Sequence, residues 1–146
     1  MPPATERSFR FGGFKPPEGV TRADYRASWA KMMLLARRLR EAGVPIVAGT
    51  DGGGLELVRE LELYVDAGFS TAQALQAATI APARLVGAGD STGSIAVGKE
   101  ADLVLVDGDP EHRIGDMRRT VWVMSDGALM NADELREVAG FTGRPN

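Results

Sequence analysis

The spacing of apolar positions changes several times along this chain, and the changes mark out its elements. From Tyr25 apolar side chains recur every three or four residues through Trp29, Met32 or Met33, Ala36 and Leu39, while Arg22, Arg26, Lys31, Arg37, Arg38 and Glu41 mostly take the other faces. That is the period of an amphipathic helix, and its aromatic and methionine stripe is expected to face a core. Thr21 and Asp24 have the spacing of a capping box, in which hydroxyl and carboxylate each accept an orphan backbone N–H, so the helix starts there. Gly43 ends it and Pro45 forbids its continuation. The next run, Val44-Pro45-Ile46-Val47-Ala48-Gly49-Thr50-Asp51, is strand-like and delivers one carboxylate to its end, just before Gly52-Gly53-Gly54. A second helix is predicted over residues 55–67, with Leu57, Val58, Leu61, Tyr64 and Val65 on one side and Gly68 as its stop. Ser70 with Gln73 repeats the capping box and opens a third helix that reaches Ile80. Pro82 forces a break or a new first turn, and residues 83–87 fit one short turn with a glycine exit.

From Gly93 the pattern becomes that of strands: Ile95 alone, then Leu103-Val104-Leu105-Val106, then Val121-Trp122-Val123-Met124. Asp126-Gly127 is a strong two-residue hairpin signal, and the chain resumes at Ala128-Leu129-Met130. Asn131 and Glu134 predict a last helix through about Val138, followed by a fraying tail. Residues 1–20 lack periodicity and read as an arm or loop with Phe9, Phe11 and Phe14 as its anchors. The chain therefore divides into an arm (1–20), a strand with flanking helices (21–92), a β unit (93–130) and a C-terminal helix with its tail (131–146).

Composition narrows the function classes. With 146 residues, 44% of them hydrophobic, the chain has the material for a core. A formal charge of -3 provides no broad positive field, which argues against nucleic acid or an anionic membrane surface as a partner. There is no cysteine, hence no disulfide framework, and no segment approaches the ~20 apolar residues needed to span a bilayer. The expectation is a soluble cytoplasmic protein acting on a small molecule.

Asp51 is the leading candidate for chemistry. In α/β enzymes, side chains at the C-terminal ends of strands converge on the site, and an acid there suits metal ligation or proton transfer. The competing explanation is structural, since an Asp before glycines is commonly a turn former or a helix N-cap. The glycines around it offer a weak phosphate-site signal, with neither a dinucleotide fingerprint nor a following lysine. Residues 93–100 nearly spell a P-loop, but Glu100 stands where a Ser or Thr would hold magnesium and strands follow where a helix should, so that reading is rejected. His112, the sole histidine, sits in a polar loop and reads as solvated. One histidine without cysteine cannot supply a histidine-rich metal site.

Several of these segments, in this order, carry a resemblance. Residues 42–51, Arg59-Glu60-Leu61-Glu62-Leu63 with Ala67-Gly68, and Ala74-Leu75-Gln76-Ala77-Ala78-Thr79 with Pro82-Ala83 resemble the C-terminal part of the amidohydrolase superfamily. Gly93-Ser94-Ile95, Gly98-Lys99, residues 101–107 and Asp126-Gly127 match the stretch by which such enzymes re-enter a small β-sandwich. The likeness is greatest to the imidazolonepropionase and prolidase-like branch, although the place where relatives often carry a histidine reads Glu56-Leu57-Val58 here. The resemblance implies an α/β fold: the terminal segment of a (β/α)8 (TIM) barrel followed by part of a small β-sandwich. It also implies a metal-dependent hydrolase that cleaves a C–N bond with metal-activated water, the divalent metal being zinc. Asp51 matches the acid at the end of the last barrel strand, which is both metal ligand and catalytic proton acceptor. A whole barrel takes ~250 residues, so the barrel is expected to be incomplete and the chain to be a truncated or split hydrolase. Another chain would supply the rest, or copies would associate, and the chain alone would be inactive. The alternative is a non-catalytic structural or binding remnant in which Asp51 only caps the following helix.

Overall fold

A computed structural model of the chain describes residues 17–51 and 56–143. The expected anchors Phe9, Phe11 and Phe14, the turn at Gly52-Gly53-Gly54 and the end of the tail lie outside the described residues. The elements are α1 (Arg22–Glu41), α2 (Leu57–Asp66), α3 (Thr71–Ala77), α4 (Ile80–Leu85), β1 (Leu103–Val106), a 3-10 helix (Ile114–Arg119), β2 (Thr120–Ser125), β3 (Ala128–Asn131) and α5 (Ala132–Val138). Both capping boxes form: Thr21 with Asp24 starts α1, and Ser70 with Gln73 starts α3. Asn131 caps α5 by accepting from the Asp133 N–H at 2.8 Å.

α1, α2, α4 and α5 end alike. At α2, Gly68 N–H donates to Val65 O and Phe69 N–H to Tyr64 O, and the same pair of bonds recurs around Gly43, Gly87 and Gly140. This is the Schellman ending, which needs a left-handed residue past the cap, and all four glycines have positive φ. At α2 the accompanying apolar contact is a stack of Tyr64 on Phe69, with ring centroids 5.3 Å apart.

β1, β2 and β3 form one antiparallel sheet in that order, with Leu105 opposite Trp122 and Trp122 opposite Asn131. Asp126 and Gly127 both have positive φ, the signature of the type I′ hairpin. The sheet has one layer among the described residues, and Ile95, expected as a strand, is an exposed loop residue. A bulge falls between Leu105 and Val106.

The core lies among the helices. Leu61, Ala74 and Ile114 are its buried centre, with Ala48, Tyr64, Val65, Leu75, Ala78 and Met117 packed around them. The 3-10 helix joins this cluster through Ile114, and Arg118 on it forms a two-pronged ion pair with Glu62 of α2. That pairing, with burial opposing it and Arg59 assisting, holds the Glu62 carboxyl below its ordinary value.

Two expectations are corrected. The stripe of α1 is not core: no residue of this helix is buried, and Trp29 and Met32 are 45% and 61% exposed. An apolar face is buried only where another apolar face meets it. Among the described residues, the tertiary ties of α1 include the bond from Arg37 Nε to Ala67 O at 3.1 Å and Arg40 over the Phe69 ring at 5.7 Å. The run from Val44 to Thr50 takes no regular secondary structure and belongs to no sheet among the described residues, because a strand requires a neighbouring ladder and none adjoins it there.

Candidate functional site

The segment before Asp51 is held by the helices that follow it. Ala48 N–H donates to Ala77 O at the end of α3, at 2.7 Å, and the Ala48 side chain packs on the core. One residue on, Gly49 N–H donates to Glu60 Oε1 at 3.1 Å. Tyr64, one turn further along α2, donates its hydroxyl to the same Glu60 oxygen and lies 3.3 Å from Val47 O. Burial first, and then the adjacent Glu60 carboxylate, push the Tyr64 phenol well above its usual range, so it stays a donor across ordinary pH.

Asp51 comes at the end of this tethered segment, exposed, with φ at 50°. Asp is among the few residues that tolerate the left-handed region, and such outliers gather at turns and at functional sites. It is not the cap of α2: that position is Glu56, whose side chain makes no capping bond.

No group of three or more His, Asp or Glu side chains that could hold a metal ion occurs among the described residues. His112 is exposed, its Nδ1 2.8 Å from Asp109 Oδ2, and that contact accounts for it without a metal. Lys99, the lysine of the apparent P-loop, ties its own loop together, with Nζ donating to Gly89 O, to Thr92 O at 3.2 Å and to Ser94 Oγ at 2.8 Å. An apolar groove of about 1010 Å³ lies between α4 and the sheet, with Pro82, Leu103, Trp122 and Met124 among its walls. Asp51 is not part of that groove. No helix among the described residues is long and apolar enough to cross a membrane.

The sequence pattern singles out Asp51 but not the residues that hold the segment before it. Glu60 and Tyr64 are four apart, the spacing that places two side chains on one helix face. A tyrosine in an apolar stripe with a carboxylate one turn before it was the signal, because a half-buried phenol needs a partner for its O–H.

Comparison with known proteins bears on this arrangement. The chain matches the model of the amidohydrolase family over residues 26–138. It is 38% identical over 78 residues to the imidazolonepropionase of Caldanaerobacter subterraneus subsp. tengcongensis, an alignment covering 49% of this chain and 19% of the relative. Among solved structures it resembles a Xaa-Pro dipeptidase with bound methionine in the active site, with a TM-score of 0.69 and 31% identity over 88% of this chain and 32% of that one. It also resembles an amidohydrolase from Thermotoga maritima, with a TM-score of 0.58 and 28% identity over 67% of this chain and 26% of that one. The chain spans about a fifth of the length of the curated relatives it matches and about a third of the Xaa-Pro dipeptidase. With the family model matched across most of its length, this α/β chain belongs to the amidohydrolase family.

Proposed function

We propose that this chain carries one acid of an amidohydrolase active site, Asp51, and that the assembled enzyme hydrolyses the C–N bond of a small amide, cyclic amide or dipeptide-like substrate. The observation that carries the reading is an exposed aspartate in a left-handed conformation at the end of an anchored segment, in a chain of this family. In the reading's fold, residues 21–92 are the last barrel strand with its flanking helices, and residues 93–130 belong to the small sandwich. That residues 44–50 join no sheet among the described residues supports this, since a barrel strand has a neighbour on each side. The uncovered stripe of α1 supports it too.

The family is generally metal-dependent. The donor set does not fit a complete metal centre, because no group of three or more His, Asp or Glu side chains that could hold a metal occurs among the described residues. A metal would need ligands from outside the described residues, and no step is drawn through one. What Asp51 itself does is proton transfer: its carboxylate accepts a proton from the attacking water and returns it to the leaving nitrogen, so that an amine departs rather than an amide anion. A positioned general acid–base group of this kind contributes roughly 10²–10⁴-fold.

The test is a chimera in which residues 26–138 replace their counterpart in the imidazolonepropionase of Caldanaerobacter, assayed on imidazolonepropionate and on an Xaa-Pro dipeptide. The expected result is turnover that falls at least about a hundredfold on Asp51→Asn, with KM little changed. Equal turnover by the Asn variant would overturn the assignment and leave the structural remnant as the better account.

A further inference from the structure

Given the proposed role of Asp51, the geometry two residues upstream says what aims it. We infer that Glu60 and Tyr64 are positioning residues that set the path of the backbone into Asp51. The carboxylate of Glu60 accepts two bonds on one oxygen, from the Gly49 N–H and from the Tyr64 hydroxyl. The first fixes the main chain two residues before Asp51. The second fixes Glu60 itself, because Tyr64 is packed on the core and stacked on Phe69 and has little freedom to move. A third tie, from Ala48 N–H to Ala77 O, holds the residue between Val47 and Gly49 against α3.

The physical need for such a device follows from the residues. Gly49 has no side chain to restrict it, and nothing lies within 4 Å of where its Cβ would be. Asp51 occupies a left-handed conformation, which an aspartate tolerates but which its own backbone does not fix. A segment with no ladder bonds would otherwise swing at Gly49 and carry the carboxylate with it. Hydrogen bonds to a charged group are the stronger kind, so a carboxylate rather than a hydroxyl at position 60 suits the task. Glu60 and Tyr64 touch no position assigned to substrate, which separates their role from that of Asp51.

The experiment uses the full chain with ¹⁵N labelling and reads amide exchange and backbone order residue by residue, with no substrate present. Glu60→Ala is expected to speed exchange of the Gly49 amide at least about tenfold and to lower the order parameters of residues 49–51 from roughly 0.85 towards 0.6, while Leu61 and Ala74 stay protected. Glu60→Gln, whose amide oxygen can accept the same two bonds, should restore most of the protection. Tyr64→Phe keeps the packed ring, removes only the hydroxyl, and should loosen Gly49 by a few-fold; it carries the test if Glu60→Ala does not fold. Unchanged exchange and order at Gly49 in the folded variants would overturn the inference. So would a loss of protection spread evenly over α2 and α3, which is the mark of a merely structural role. Because no turnover is read, failure here would leave the Asp51 assignment standing, and failure of Asp51→Asn in the chimera would leave this result standing.

Discussion

Gly93→Ala tests how tightly the chain closes at the start of α4. Gly93 has φ of +80°, and a Cβ there would lie 2.7 Å from Ala83 Cβ and 3.0 Å from both Ile80 Cα and Thr79 O. Two of those atoms belong to backbone and the third is a methyl fixed to it, so none can swing aside. Retreat of the loop is also blocked, because Lys99 donates to carbonyls or hydroxyls at positions 89, 92 and 94 and grips the loop on either side of Gly93. The left-handed backbone costs an alanine roughly 1–2 kcal/mol, and forced overpacking typically adds about 1–3 kcal/mol. The expected destabilisation is about 2–5 kcal/mol, a large share of the ~5–15 kcal/mol that holds an ordinary domain folded. At roughly 4 °C per kcal/mol for a chain of this size, the melting midpoint should fall by about 8–20 °C. Gly98→Ala is the control: φ there is +90°, yet nothing lies within 4 Å of the added carbon. It should show the backbone cost alone, about 4–8 °C. Thermal unfolding followed by circular dichroism gives both values, and midpoints within about 2 °C of each other would refute the steric argument.

Other expectations follow from single contacts. The Glu62 carboxyl sits below its ordinary 4.5, chiefly through Arg118, so the pair stabilises fully above pH 4.5 and the contribution is lost as pH falls through the lowered folded value. Glu62→Gln should therefore cost about 1 kcal/mol at pH 7 and progressively less towards pH 3. Urea midpoints across that range measure it, and a pH-independent difference would contradict the assignment. Asn131→Ala removes the cap of α5 and should cost about 1 kcal/mol by the same denaturation, whereas no measurable loss would mean the Asp133 N–H finds another acceptor. The exposed stripe of α1 should make the chain self-associate at micromolar concentration. Trp29→Lys with Met32→Lys should reduce the scattering mass while leaving the melting midpoint nearly unchanged; a parent chain that scatters as a clean monomer would tell against that picture.

Local chemistry was legible where one residue type has one physical use. Thr21 with Asp24, Ser70 with Gln73, Asn131, and glycines 43, 68 and 87 all act as their spacing implies, since caps and left-handed endings depend only on neighbours within a turn. The hairpin at Asp126-Gly127 was legible for the same reason. What failed needed information from across the fold. Periodicity shows that Tyr25, Trp29 and Leu39 share a helix face, but cannot say whether anything lies opposite. An apolar run of strand length says nothing about ladder partners, and residues 44–50 join no sheet among the described residues. The 3-10 helix from Ile114 to Arg119 left no periodic trace, because its value lies in one buried isoleucine and one arginine reaching Glu62, 56 positions earlier in sequence. Around Asp51, the Glu60 and Tyr64 pair had a trace in its spacing, while the bond from the Gly49 N–H to Glu60 had none, because a main-chain donor leaves no mark on its residue type.

These failures point the same way. The buried centre of the chain is small, Leu61 with Ala74 and Ile114, while larger apolar side chains on α1 stay in contact with water. Fully covering a side chain of that size is worth about 1.5–3 kcal/mol, so a surface that covered only Trp29, Met32 and Leu35 would contribute several kcal/mol. By linkage, whatever binds the native chain raises its stability in proportion to that affinity. If the elements that complete the Asp51 site also cover α1, then catalysis and stability should rise together. Melting the region carrying residues 26–138 within the chimera, against the chain alone, measures that coupling. A midpoint no higher in the chimera would separate the site from the stripe and require a different occupant for α1.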